Sequence, residues 1–128
     1  MKHGLIVIAL LLLALIGSTA PARAHHGAAA YDPAKTVTLK ATVTQFEWAN
    51  PHALITVAVA GPDGRIEEWT AETAGPVMLV RAGWTRSTLK ARDQITIVGQ
   101  QARNGSRTML LQRVVLADGR ELTSFIPR

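Results

Sequence analysis

The chain has 128 residues, with 14 Lys and Arg against 9 Asp and Glu, and it contains no Cys. That length admits one compact core rather than two, and the absence of Cys excludes disulfide stapling and thiolate metal sites. Basic residues such as Lys35, Arg65, Arg86, Arg103 and Arg120 stand singly among acids, against the clustered basic face of a nucleic-acid binder.

Met1, Lys2 and His3 form a short positive start, residues 5–16 are an uncharged apolar run, and Ala22-Arg23-Ala24 is a small-x-small tripeptide. This pattern predicts a cleavable signal peptide over residues 1–24 with the cut after Ala24. A cut after Ala20 is the poorer choice because Pro21 would follow the scissile bond. The apolar run is broken by Gly17, Ser18 and Thr19, short of the roughly 20 residues needed to span a bilayer. With no Cys to acylate, the mature chain is expected in the periplasm or outside the cell, without stable membrane insertion. Loss of Lys2 and Arg23 from the 14 basic residues leaves 12 against 9 acidic ones, a mild excess that reads as solubility.

An N-terminal arm over residues 25–35 is expected to precede a single domain over residues 36–128. Val37, Leu39, Ala41 and Val43 alternate with Thr36, Thr38, Lys40 and Thr42, the period of a half-buried strand. The apolar phase then slips by one to Phe46 and Trp48, which predicts a β-bulge in a long, coiled first strand. Ala49-Asn50-Pro51 interrupts pairing, and Ala53, Ile55, Val57 and Val59 alternate in a second strand. Gly61-Pro62-Asp63-Gly64 is turn chemistry, so residues 66–73 with Trp69 return as a third strand. Pro76 opens a short helix that Gly83 ends. Residues 84–93 read as a polar connection, followed by strands over 94–100 and 108–116 around the Asn104-Gly105 turn, and a short edge strand over 121–125. Three strands, a helix and two or three further strands is the order of a small OB-like antiparallel barrel of five to six strands, all-β with one short helix. An open antiparallel sheet is the rival arrangement.

His25-His26-Gly27, Tyr31-Asp32, Val37-Thr38-Leu39-Lys40, Glu47-Trp48, Asn50-Pro51-His52 and Gly83-Trp84-Thr85 together resemble a family of exported bacterial proteins, domain of unknown function 6152. The resemblance spans nearly the whole mature chain and implies a single exported domain with a His-His pair after its signal peptide. It implies no reaction. This chain departs from the family's pattern at Gly27, where Ser is more usual, and at Lys90-Ala91-Arg92-Asp93, where a Pro-Gly-Asp turn is more usual.

Three histidines, His25, His26 and His52, remain after cleavage. A cut after Ala24 gives His25 both an α-amine and an imidazole, which chelate one metal ion in the manner of a histidine brace. Copper is the natural guest, since nitrogen donors favour Cu(II) in the first-row affinity order, and His26 or His52 supplies a third nitrogen. The plainer alternative is a mobile polar tail and a hydrogen-bonded loop histidine. Tyr31 and Asp32 are possible helpers, but Tyr-Asp-Pro reads more simply as a turn, with Asp32 bonding local backbone and Tyr31 packing on the barrel. Trp48 and Trp69 mark a possible ligand face, as does Trp84, with core packing as the alternative. Glu68 and Glu72 share a strand face that Glu67 does not. No nucleophile with its base and no phosphate-cradling loop is recognisable, so an enzyme is not expected. The leading expectation is an exported binding or accessory domain for a small ligand, a polysaccharide or an exported protein partner. The alternative is a copper-binding protein using His25, His26 and His52.

Overall fold

The computed structural model describes residues 27–124. A 3-10 turn, Ala28–Ala30, leads into β1 (Tyr31–Glu47), followed by β2 (Leu54–Ala60), β3 (Ile66–Glu72), the helix α1 (Pro76–Arg81), β4 (Gln94–Ala102), β5 (Thr108–Val115) and β6 (Glu121–Thr123). The architecture is all-β with one short helix, and the elements come in the order that the alternating pattern predicts.

The long first strand serves two neighbours. Its first part pairs antiparallel with β4, from Tyr31↔Ala102 to Thr42↔Gln94, and its last part pairs with β2, from Thr42↔Ala58 to Glu47↔Leu54. The β1–β2 register shifts between Val43 and Gln45, where the apolar phase slips in the sequence, because one extra residue turns every later side chain to the other face. β1 also begins five residues before the alternation does, at Tyr31. Pro33 has no N–H to give the ladder, so the β1–β4 register is broken between Tyr31 and Thr36 while the backbone stays extended. The Asp32 carboxylate accepts the Ala34 N–H at 3.0 Å, the local turn chemistry expected of it.

β2 pairs with β3 and β4 with β5, both antiparallel, and β3 pairs with β5 in parallel through Thr70↔Thr108, Ala71↔Met109 and Glu72↔Leu110. That last pairing closes β1, β2, β3, β5 and β4 into a ring, and β6 adds to β5 outside it. The sheet is therefore not open. One alternating set from each strand fills the interior, including Val43, Ile55, Val57, Ile97, Met109 and Leu111, each at most 1% exposed.

Pro76 occupies the first turn of α1, and the helix stops at Gly83, whose φ of +88° suits a residue without Cβ. Leu79 alone of this helix is fully buried, and it joins the core. The connection after α1 is less polar in structure than in sequence: Trp84 is 1% exposed and Leu89 3%. The Trp84 indole N–H donates to the Thr123 carbonyl at 2.9 Å, so this ring contributes both its area and a satisfied polar group to the interior. In the tight turn before β4, Arg92 holds a φ of +77°. Among the described residues no helix is long and apolar enough to cross a membrane.

Candidate functional site

The loop between β1 and β2 carries His52, and the backbone beyond β3 holds that loop. Thr73 N–H donates to the Ala53 carbonyl at 3.0 Å and Ala53 N–H to the Ala74 carbonyl at 3.3 Å, prolonging the β2–β3 ladder by a step. Thr73 is fully buried, and its hydroxyl shares one proton between the Ala53 and Ala74 carbonyls, at 3.0 and 2.8 Å. The backbones also touch at Gly75, where a Cβ would stand 2.5 Å from the Pro51 carbonyl oxygen. The Asn50–Pro51 peptide itself is cis. His52 is thus presented by a clamped loop.

The His52 ring stands with Nδ1 3.0 Å from the Thr73 carbonyl oxygen. A carbonyl only accepts, so Nδ1 is the donor, which leaves Nε2 as the nitrogen turned toward the cavity. Nε2 faces Glu72 Oε1 across 3.6 Å, longer than the roughly 2.7–2.9 Å of a charge-assisted hydrogen bond. The other carboxylate oxygen of Glu72, Oε2, accepts the Tyr31 hydroxyl at 2.7 Å. Tyr31 is 6% exposed. Burial, then the hydrogen bond to Glu72, then the negative charge of that carboxylate all push its phenol well above the ordinary value of 10.0, so Tyr31 remains a donor.

These side chains open on a cavity of about 810 Å³ at the end of the ring where the start of β1, the β1–β2 loop, the end of β3 and the β4–β5 turn meet. Gly27, Tyr31, Glu47, His52, Glu72 and Arg103 are among its lining residues. Arg103 fastens the approach to Gly27: its backbone N–H donates to the Ala30 carbonyl at 2.9 Å, its Nε to the Ala29 carbonyl at 3.1 Å, and its guanidinium lies 3.8 Å from Asp32.

An imidazole nitrogen and a carboxylate oxygen thus face one another across 3.6 Å, a gap that a proton or a metal cation can bridge. Among the described residues no three His, Asp or Glu side chains gather into a metal-holding group. His25 and His26, named as ligands from the sequence, lie outside the described residues. Trp48 and Trp69, a possible ligand face for which core packing is the plainer account, do not line this cavity: Trp69 is 8% exposed within the core, and half-buried Trp48 packs edge-on to Phe46 with ring centres 5.7 Å apart. Sequence reasoning noted Glu72 and Tyr31 without bringing either to His52. No local signal joins them, since 41 residues separate Tyr31 from Glu72.

Fold and site together define a small closed β-ring domain with a cavity at one end into which a few polar side chains reach. Residues 13–112 match the model of a family of unknown function, DUF6152, and the chain belongs to that family. No curated protein and no solved structure shows a significant match to the chain.

Proposed function

We propose that the chain is exported, that residues 1–24 are removed, and that the mature protein is a single-domain binding protein whose ligand is a copper ion. His25 binds through its α-amine and imidazole, and His52 or His26 supplies a third nitrogen. The observation that carries this reading is the company of His52: Gly27, which directly follows His25-His26 in the chain, lines the same cavity. Successive Cα atoms are about 3.8 Å apart, so the processed amine is only two such steps from a residue that lines the cavity of His52. Anchoring Nδ1 on a backbone carbonyl is also how proteins fix the tautomer of a ligating imidazole. The donor set, nitrogens without thiolate, suits Cu(II) above the other divalent first-row ions.

Titration of Cu(II) into protein that begins at His25 is expected to give a nitrogen-rich paramagnetic spectrum with sub-micromolar binding. His52→Ala is expected to weaken it by at least about tenfold. A version with one extra residue before His25 loses the chelating amine and with it most of the affinity; unchanged binding by that version overturns the brace. The mass of the secreted protein tests the cut after Ala24 directly.

A second reading rests on the cavity itself, whose 810 Å³ falls within the roughly 300–1,000 Å³ of small-molecule sites. On that reading an organic ligand raises the melting temperature of the His25-extended protein as much as that of the processed one.

A further inference from the structure

We propose that the outer face of α1, with the connection that follows it, is a docking surface for an anionic phospholipid membrane, to which the folded domain adheres peripherally. This surface is separate from the cavity and does not depend on copper.

The chain has nine Asp and Glu side chains, and none of them falls in residues 73–92. That stretch carries Arg81, Arg86, Lys90 and Arg92, all exposed. Each of the five other arginines among the described residues has an acid beside it, at distances from 2.7 Å for Arg120 and Asp118 to 3.8 Å for Arg103 and Asp32. Arg81, Arg86, Lys90 and Arg92 form no ion pair among the described residues. The scatter of cations along the sequence conceals this division, which pairing in the folded chain reveals.

The same segment turns apolar side chains outward. Val77 and Val80 are 66% and 60% exposed, and with Arg81 they stand at i, i+3 and i+4, on one face of α1. The underside is fastened to the ring by Leu79, Trp84 and Leu89, each at most 3% exposed. Further on, the Arg92 N–H donates to the Val43 carbonyl at 2.7 Å and the Lys90 N–H to Asp93 Oδ2 at 2.8 Å. Four cations and two valines are therefore presented on a fixed backbone. Like charges gathered without acids repel one another and give the fold nothing; their complement is an anionic surface. An anionic bilayer answers both features at one boundary, with phosphates for the cations and the acyl edge for the valines, whereas a soluble polyanion answers the charges alone.

Residues 5–16 are apolar and adhere to lipid by themselves, so the test uses protein beginning at His25, which keeps the whole closed ring. Co-sedimentation with vesicles of equal parts phosphatidylglycerol and phosphatidylcholine is expected at low salt, falls as salt is raised, and is absent with phosphatidylcholine alone. A cation at an anionic surface is worth roughly fivefold in partition, so Arg86→Gln is expected to weaken binding about fivefold and the pair Arg86→Gln, Lys90→Gln about 20-fold. The pair Val77→Ser, Val80→Ser leaves the charge unchanged and is expected to weaken binding by at least about fivefold. All four positions are exposed, so urea midpoints are expected to stay close to the parent's. Lys35→Gln removes an exposed charge from β1 and is expected to change binding by less than about threefold. A loss in Lys35→Gln equal to that in Arg86→Gln reveals a net-charge effect and overturns the surface. Full binding by the valine variant assigns the cations to a soluble polyanion or an acidic protein and overturns the membrane. Failure of the parent to bind anionic vesicles overturns the proposal outright, and leaves the copper titration untouched.

Discussion

Tyr31 donates its hydroxyl proton to Glu72 across 2.7 Å, tying the first residue of β1 to the last residue of β3. Tyr31 is the sole tyrosine of the chain, so phenolate absorbance reads this group alone. Its phenol is raised above 10.0 in the folded protein, by burial first and by Glu72 second. Above about pH 10 the unfolded chain has released this proton and the folded chain has kept it. The stabilisation is therefore complete below about pH 10 and is lost as pH rises beyond it. Phenolate absorbance in a base titration is expected to appear only with loss of the folded circular dichroism signal; a reversible titration near pH 10 in intact protein contradicts this.

Removing the hydroxyl isolates the bond itself. Tyr31→Phe is expected to lower stability by about 1.5–3 kcal/mol, the usual range for a hydrogen bond to a charged acceptor. Urea denaturation should show a lower midpoint with an unchanged slope, since the ring and its burial remain. In the double variant with Glu72→Gln the two losses are expected to overlap rather than add.

Gly75→Ala acts on the loop that carries His52. The new Cβ meets the Pro51 carbonyl oxygen at 2.5 Å, a backbone atom that moves only with the loop. The expected loss is about 1–3 kcal/mol, typical of forced overpacking. Amide chemical shifts should change around residues 50–53 while those of the β4–β5 hairpin stay in place; shifts confined to residues 74–76 would show that the loop did not yield.

Two tryptophans separate burial from exposure. Trp84→Ala empties a site that is 1% exposed and frees the Thr123 carbonyl, with an expected loss of about 3–5 kcal/mol. Trp48→Ala removes a half-buried ring whose edge-on contact with Phe46 contributes about 0.5–1.5 kcal/mol beyond its area. Thermal melts should rank the two variants in that order.

Arg92→Gly is expected to stabilise the protein by about 0.5–1 kcal/mol, because the φ of +77° costs a residue with a Cβ more than it costs glycine. A melting temperature at or below that of the parent contradicts the expectation.

Much of this fold is visible in the order of the residues. The slip from Val43 to Phe46 marks the bulge, alternation marks β2, and Pro76 and Gly83 bracket α1, since each is a local consequence of backbone geometry. Tyr31 as the start of a strand is hidden because Asp32-Pro33 imitates a turn while leaving the chain extended. Trp84 and Leu89 are hidden because isolated apolar residues in a polar stretch have no period to betray their burial. His52 was identifiable as a candidate ligand from its residue type and its Asn-Pro-His context. Its partners were not, since Glu72 and Tyr31 reach it only after β1, β2 and β3 have paired across the ring.

The ring's parallel closure has a consequence for how a ligand and the fold affect one another. Three residue pairs alone stitch β3 to β5, and the last of them is Glu72↔Leu110. The cavity thus lies beside the shortest seam of the ring, lined by Glu72 from β3 and by Ser106 and Thr108 at the start of β5. Whatever grips both strands acts as a clasp on that seam, so occupancy should slow the opening of the ring from the very end at which the ligand enters.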